Sequence, residues 1–244
     1  MKQLVLSKKE IGSTRLESEF FRQPTMQVAS DLLGKLLVRK LPDNSCLAGI
    51  VVEVEAYLFD NDPACHAARG QTRRNATMFA EAGHLYVYSI HSRHCLNIVT
   101  ERVGLGAAVL IRAIEPWIGI ERMATNRGLP AADSIKPDFL PRLSSGPGRV
   151  CEALAVNRQQ DGLDLVKGQE IWLENPVDTV ITSTWSEKVD ARIGLSQGKD
   201  LQLRWFMDGH RLVSGPASAH SHGRWWQFSH SRETKEARSP RRIT

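Results

Sequence analysis

The stretch Gly49-Ile-Val-Val-Glu-Val-Glu-Ala-Tyr-Leu58 constrains this chain more than any other. Side chains alternate across a strand, so Ile50, Val52, Val54, Ala56 and Leu58 share one face. That face is wholly apolar and belongs in a core. The opposite face carries Val51, Glu53, Glu55 and Tyr57. Two like charges two positions apart repel, and partial loss of water sharpens the conflict. Such a face is either a solvated strand surface, as carboxylates usually make, or a site.

Around this strand the pattern predicts others at 36–38, 85–90 and 107–114, with late ones at 170–173 and 201–206. Thr25 can cap a short helix through Met26, Val28, Leu32 and Leu33, ended by Gly34. After Ser144-Ser145-Gly146-Pro147, residues 149–157 read as a helix with proline in its first turn. Helices and strands mix without regular alternation, which points to α+β and away from a doubly wound sheet. Texture divides the chain into a polar N-terminal segment (1–23), a packed body (24–217) and a basic tail (218–244) expected to be disordered. There are no internal repeats.

Of the net charge of +5, +4 lies in residues 219–244, where six basic residues face two acidic ones. The body is nearly neutral, so composition alone names no polyanionic partner. No apolar run approaches the ~20 residues that span a bilayer, and residues 1–22 contain no signal-peptide core. The expectation is an intracellular protein: nuclear or organellar in a eukaryote, cytoplasmic or nucleoid-associated in a bacterium. Cys46, Cys65, Cys95 and Cys151 form no paired motif and read as reduced thiols. His91, His94 and Cys95 are the one metal candidate, and they lack a second ligand pair at usual spacing.

Three further segments carry chemistry. Residues 60–79 form a long polar stretch with His66, Arg69, Arg73, Arg74 and Asn75, and such loops are functional or disordered. Guanidinium groups beside Thr72, Asn75 and Thr77 suit phosphate contacts, or the segment is a solvated surface loop. In His84-Leu-Tyr-Val-Tyr-Ser-Ile90, His84, Tyr86, Tyr88 and Ile90 share a face. The tyrosines are packing residues or flat π surfaces for a base. Arg112 stands alone in an apolar strand. A buried arginine needs a carboxylate, and Glu53 or Glu55 is the obvious partner.

Order and spacing add what single segments lack. Glu55-Ala-Tyr57, His66, Arg73-Arg-Asn-Ala-Thr-Met-Phe79, Gly83-His-Leu-Tyr-Val-Tyr88, Asn97, Gly106-Ala-Ala-Val-Leu-Ile-Arg112-Ala-Ile-Glu-Pro116 and Ser145-Gly-Pro-Gly148 follow one another. This string closely resembles the alkyladenine (3-methyladenine) DNA glycosylase family, over roughly residues 27–206. The resemblance implies a single compact domain built on a curved antiparallel sheet or barrel-like core. It implies a monomer that meets duplex DNA with damaged purines and no membrane, and neither metal nor organic cofactor.

By the same resemblance Glu55 is the general base for the attacking water, and Arg112 helps hold that water. Tyr57 and Tyr88 sandwich the flipped base, with Tyr86 beside them and the His66 amide donating to it. Asn97 collides with the exocyclic amine of a normal guanine. Arg73, Arg74, Asn75 and Arg149 are the expected DNA-backbone contacts. No lysine stands in the catalytic motif, so the reading is a monofunctional enzyme that uses water. One departure is plain: where the family has a Tyr-Gly-Met wedge, this chain has Ile90-His91-Ser92-Arg93-His94-Cys95, one residue shorter. That puts His91 at the wedge, with Arg93 beside it.

The runner-up is a non-catalytic binder of damaged or abasic DNA, which would have no use for Glu55 with Arg112. A formyltransferase-like RNA-binding barrel meets the same objection. A helix-hairpin-helix glycosylase, suggested by Ser145-Gly-Pro-Gly148, lacks a lysine and aspartate pair at suitable spacing.

Overall fold

The strand signalled by alternation is longer than the pattern indicates: β2 runs Cys46–Tyr57, and the other strands assemble around it. The structure, a computed structural model, describes residues 14–131, 137–176 and 185–215. One edge of β2 pairs with β5 (Ala108–Ile118). The other edge is divided. Residues 46–50 pair with β1 (Leu36–Lys40), and residues 53–55 with β8 (Arg204–Met207). Beyond β5 come β4 (Arg93–Val99) and β3 (Leu85–Ile90), beyond β1 comes β6 (Ile171–Glu174), and β7 (Glu187–Asp190) flanks β8. All these pairings are antiparallel.

Three register shifts in β2 against β5 bend the sheet, at Ala48/Gly49, Val51/Glu53 and Glu53/Val54. Each extra residue adds local twist. At the first, a Cβ on Gly49 would stand 2.8 Å from Ile114 Cδ1 and 2.9 Å from the Glu115 carbonyl, so only glycine lets the strands close there. The outcome is the expected α+β domain, a curled antiparallel half-barrel with few helices. Ile50, Val52, Val54 and Ala56 are all fully buried on its apolar side.

Among the described residues five short helices cover the sheet: α1 (Ser18–Phe21), α2 (Thr25–Leu32), α3 (Ile120–Asn126), α4 (Leu140–Ser144) and α5 (Pro147–Ala153). α2 buries Val28, Ala29 and Leu32 against β2, while α5 buries Val150, Cys151 and Ala153 against β4 and β5. None of the helices among the described residues is long and apolar enough to cross a membrane.

Several expectations are corrected. Thr25 is the first helical residue, not a cap, and its hydroxyl reaches across to Thr100 and Glu101. The helix expected at 149–157 begins at Pro147 and ends at Ala153. Ala155 turns to φ 51°, and Asn157 opens a separate 3-10 turn through a capping box. The strand at 107–114 continues to Ile118 through Pro116, which faces the Gly49 irregularity, where a missing N–H is tolerated. The packed region also starts before residue 24, since Leu16 and Phe21 are buried. The tail at 218–244 lies outside the described residues.

Candidate active site

Arg112 on β5 faces both candidate carboxylates. Its Nη1 stands 3.0 Å from Glu55 Oε1, and its Nε donates to Glu53 Oε1 at 3.2 Å. Neither glutamate has any exposed surface, so the solvated-face reading of this strand is set aside. Burial pulls the Arg112 guanidinium's pKa down, but Glu55 and Glu53 outweigh that and leave it above its ordinary value. Removing one partner of such a buried pair costs about 3–5 kcal/mol, because the other charge is stranded.

Glu55 is held from three directions. Besides Arg112, its Oε1 accepts from the Ile193 amide at 2.8 Å, and its Oε2 accepts from the Tyr57 hydroxyl at 3.0 Å. All of these are donors, the set an ionised carboxylate can accept. The carboxylate is thus fixed in orientation.

A cavity of about 650 Å³ has His66, Thr72, Tyr86, Tyr88 and Arg158 among its walls, and Tyr57, the hydroxyl donor to Glu55, packs in one cluster with those two tyrosines. The His66 and Tyr88 rings meet edge to face at 4.5 Å, and Tyr86 stacks on Tyr88 at 5.6 Å. His66 Nδ1 stands 2.9 Å from the Tyr86 hydroxyl. Burial pushes the Tyr86 phenol up to about 12 and raises Tyr57 and Tyr88 as well. The three phenols therefore stay protonated and present uncharged π faces. Loss of water around the His66 ring lowers its pKa from the ordinary value, although the residue as a whole is exposed. Its backbone amide has no hydrogen-bond partner among the described residues.

Tyr57 packs on the same small cluster as Tyr86, together with Cys65, Met78 and Val99. Its outer face is covered by Arg192, whose guanidinium carbon lies 4.6 Å from the ring centroid. Arg192 is in turn clamped by Asp62 through two 2.6 Å bonds, both side chains being fully buried. The 60–79 segment is therefore a built wall. Gly106 lets it close: a Cβ there would stand 2.3 Å from that of Ala67. Asn97 is 3% exposed, and its Nδ2 donates to the Tyr86 and Cys95 carbonyls at 3.1 and 3.4 Å, which fixes the amide beneath the tyrosines.

The expected DNA contact at Asn75 meets a different environment from that of Arg73 and Arg74. Asn75 is buried, and its side chain is fully spent on its own loop. Oδ1 accepts from the Thr72 amide and hydroxyl, and Nδ2 donates to the His66 and Gly70 carbonyls. It shapes the wall and has no donor left for phosphate. Arg73 and Arg74 are exposed, and Arg74 lines the cavity. Arg149 Nη1 donates to the Pro141 and Ser145 carbonyls at 3.1 and 3.0 Å and braces the turn before α5.

β3 and β4 join through His91 and Ser92, both exposed, with His91 at φ 52°. Ile90 is 49% exposed beside them. Arg93 lies against Gly148 and 3.5 Å from Glu152, so it leans on α5 with its side chain still exposed. Between this hairpin tip and Ser145–Arg149 runs a second cavity of about 500 Å³. The turn there is tied to the site: Gly146, at φ 112°, donates its amide to the Arg112 carbonyl at 2.9 Å. His94 and Cys95 are neighbours on β4 and point to opposite faces, so the His91-His94-Cys95 set does not converge on a metal. All four cysteines are free, and burial holds the Cys65 thiol up at about 11.

Sequence reasoning missed Asp62, Arg192, Arg204 and Ser214. Arg204 did carry the signal used for Arg112, a lone cation in an apolar strand. It donates to Glu53 at 3.1 Å and to Asp190 at 3.1 Å. Asp62, Arg192 and Ser214 stand in irregular chain, where no periodicity marks them.

Residues 19–211 match the family model described as methylpurine-DNA glycosylase. Three similar proteins carry the name "Putative 3-methyladenine DNA glycosylase". That of Rhodopirellula baltica is 42% identical over 215 residues, 86% of this chain and 87% of its own. That of Chlorobium phaeovibrioides is 44% identical, covering 82% of this chain and 96% of its own. That of Methanoculleus marisnigri is 40% identical, with 82% and 98% covered.

Proposed function

The chain belongs to the methylpurine-DNA glycosylase family, and from that premise we propose that it is a monofunctional DNA glycosylase. On this reading it flips an alkylated or deaminated purine from duplex DNA and hydrolyses the N-glycosidic bond, leaving an abasic site. The observation that carries the reading is Glu55, a fully buried carboxylate held by Arg112, the Ile193 amide and Tyr57, which packs in one cluster with the cavity-lining Tyr86 and Tyr88. Burying that pair is costly, and binding alone gives no return for it.

The reaction balances without a covalent enzyme intermediate. As the bond from C1′ to the base nitrogen opens, its electron pair leaves with the base, so a cationic alkylated purine departs neutral. A water oxygen bonds to C1′, one water proton passes to Glu55, and that proton is later released to solvent. The carboxylate also stabilises the positive charge that develops on the sugar. Neutral bases such as hypoxanthine need help as they leave, and the unpartnered His66 amide is the donor for that. Asn97 excludes guanine through its amine, a rejection built from a clash. Arg73, Arg74 and Arg149 supply backbone contacts, and His91 at the hairpin tip fills the space vacated by the flipped base.

Duplex oligonucleotides carrying ethenoadenine, hypoxanthine or 7-methylguanine test this, with alkali revealing abasic sites. Wild type should give cleavage on at least one. Glu55→Gln should lose on the order of 10²–10⁴ in single-turnover rate, the usual worth of a general base, and still bind the lesion duplex. Binding by wild type with no alkali-labile product would make the chain a damaged-DNA binder instead.

A further inference from the structure

Glu53 and Ser214 form a second layer behind Arg112. The Ser214 amide donates to Glu53 Oε2 at 2.7 Å, while its hydroxyl accepts from Arg112 Nη2 at 2.8 Å and from Nε at 3.2 Å. Arg204 completes the layer by donating to Glu53 Oε1. The Arg112 guanidinium is planar and carries five N–H donors in a fixed fork. Nη1 meets Glu55, Nε is shared between Glu53 and Ser214, and Nη2 has the Ser214 hydroxyl as its acceptor among the described residues. With that hydroxyl gone, the plane is held at Nε and Nη1 alone and its far end is loose.

Ser214 is not left to chance by the chain around it. His210 and Glu115 are both about 2% exposed, with Nε2 and Oε2 2.8 Å apart, and Arg211 reaches the same carboxylate at 3.4 Å. The Leu212 amide donates to His210 Nδ1 at 3.2 Å. Leu212 and Val213 are buried. The turn after β8 is thus latched onto β5 three residues beyond Arg112.

We propose that Ser214 is a positioning residue for Arg112. It sets the plane of the guanidinium and, through it, the aim of Glu55. The proposal rests on the glycosylase reading. Ser214→Ala keeps the amide bond to Glu53 and removes only the acceptor; Ser214→Thr keeps both.

The test compares single-turnover excision with lesion-duplex Kd in the full chain. Ser214→Ala should slow excision on the order of 10–100-fold, the scale of a misplaced catalytic group, with Kd within about threefold. Ser214→Thr should recover most of the rate. In an Arg112→Lys background, Ser214→Ala should add less than about twofold, since residues acting as a unit are non-additive. The ¹⁵Nε–H NMR resonance of Arg112, assigned by its loss in Arg112→Lys, should be protected from exchange in wild type and Ser214→Thr and exchange faster in Ser214→Ala. Wild-type excision by Ser214→Ala, a full multiplicative loss in the Arg112→Lys background, or an unchanged Nε–H would each overturn the proposal. If wild type releases no base, the glycosylase reading falls, and the NMR comparison alone still decides whether Ser214 fixes Arg112.

Discussion

At Arg112, Arg192 and Arg204 the chain puts a guanidinium where water is scarce, and at each it supplies a carboxylate within 3.2 Å. The need was legible in sequence at Arg112, though not the answer, since Glu53 and Glu55 both serve it. His66 poses a different problem, because among the described residues it has no carboxylate partner and desolvation lowers its pKa below the ordinary value. The sign of the consequence follows. In the unfolded chain His66 titrates near ~6.5, and in the folded protein lower. As pH falls through that window the unfolded chain takes the proton first, so folding loses stability toward acid. His66→Gln removes this contribution. Urea unfolding at pH 7.5 and pH 5.5 should therefore show a smaller acid loss in His66→Gln than in wild type. Equal losses would mean that the ring is not desolvated as its packing against Tyr86 and Tyr88 indicates.

Strands with clean alternation were readable to within a few residues. Residues 85–90 form β3 as expected, and the 50–58 pattern lies within β2 but for its last residue. β4 was hidden because it opens with Arg93 and His94, polar residues that the hairpin places at its exposed end. Boundaries such as the end of α5 were set by tertiary bonds and local turns that no periodicity encodes. The hairpin tip carries its own cost, since His91 holds φ 52°, where an L-residue with a Cβ is disfavoured by about 1–2 kcal/mol. His91→Gly should relieve that, less the entropy glycine adds to the unfolded chain. About 1 kcal/mol of net gain would raise Tm by roughly 2–4 °C in a chain this size. Excision from a fully paired duplex should nevertheless fall, and excision opposite a mismatch should not, because extrusion is cheaper there. A His91→Gly chain that excises paired lesions as fast as wild type would remove His91 from the wedge role.

Across the whole molecule, the distribution of charge separates two jobs. The network that holds Glu55 lies entirely within residues 53–214, paired cation against carboxylate, and adds little net field. Of the chain's +5, +4 lies in residues 219–244. Long-range attraction to a polyanion follows net charge, while the chemical step follows the fixed groups around C1′. Removing residues 218–244 should therefore act on one and not the other. Each phosphate no longer neutralised lowers the slope of log K against log salt by about 0.9. Up to four lost net charges predict a fall of up to about 3–4 in that slope for undamaged duplex, with weaker binding at low salt. Single-turnover excision at saturating enzyme should stay within about twofold, because Glu55, Arg112 and Tyr88, the groups proposed to act on the lesion, are unchanged. Binding measured from 50 to 300 mM salt, beside excision time courses, reads both quantities on one preparation. A truncated chain with its salt slope intact would move the electrostatic footprint onto Arg73, Arg74 and Arg149. A truncated chain with a slowed chemical step would instead mean that the tail supports the groups around Ser214.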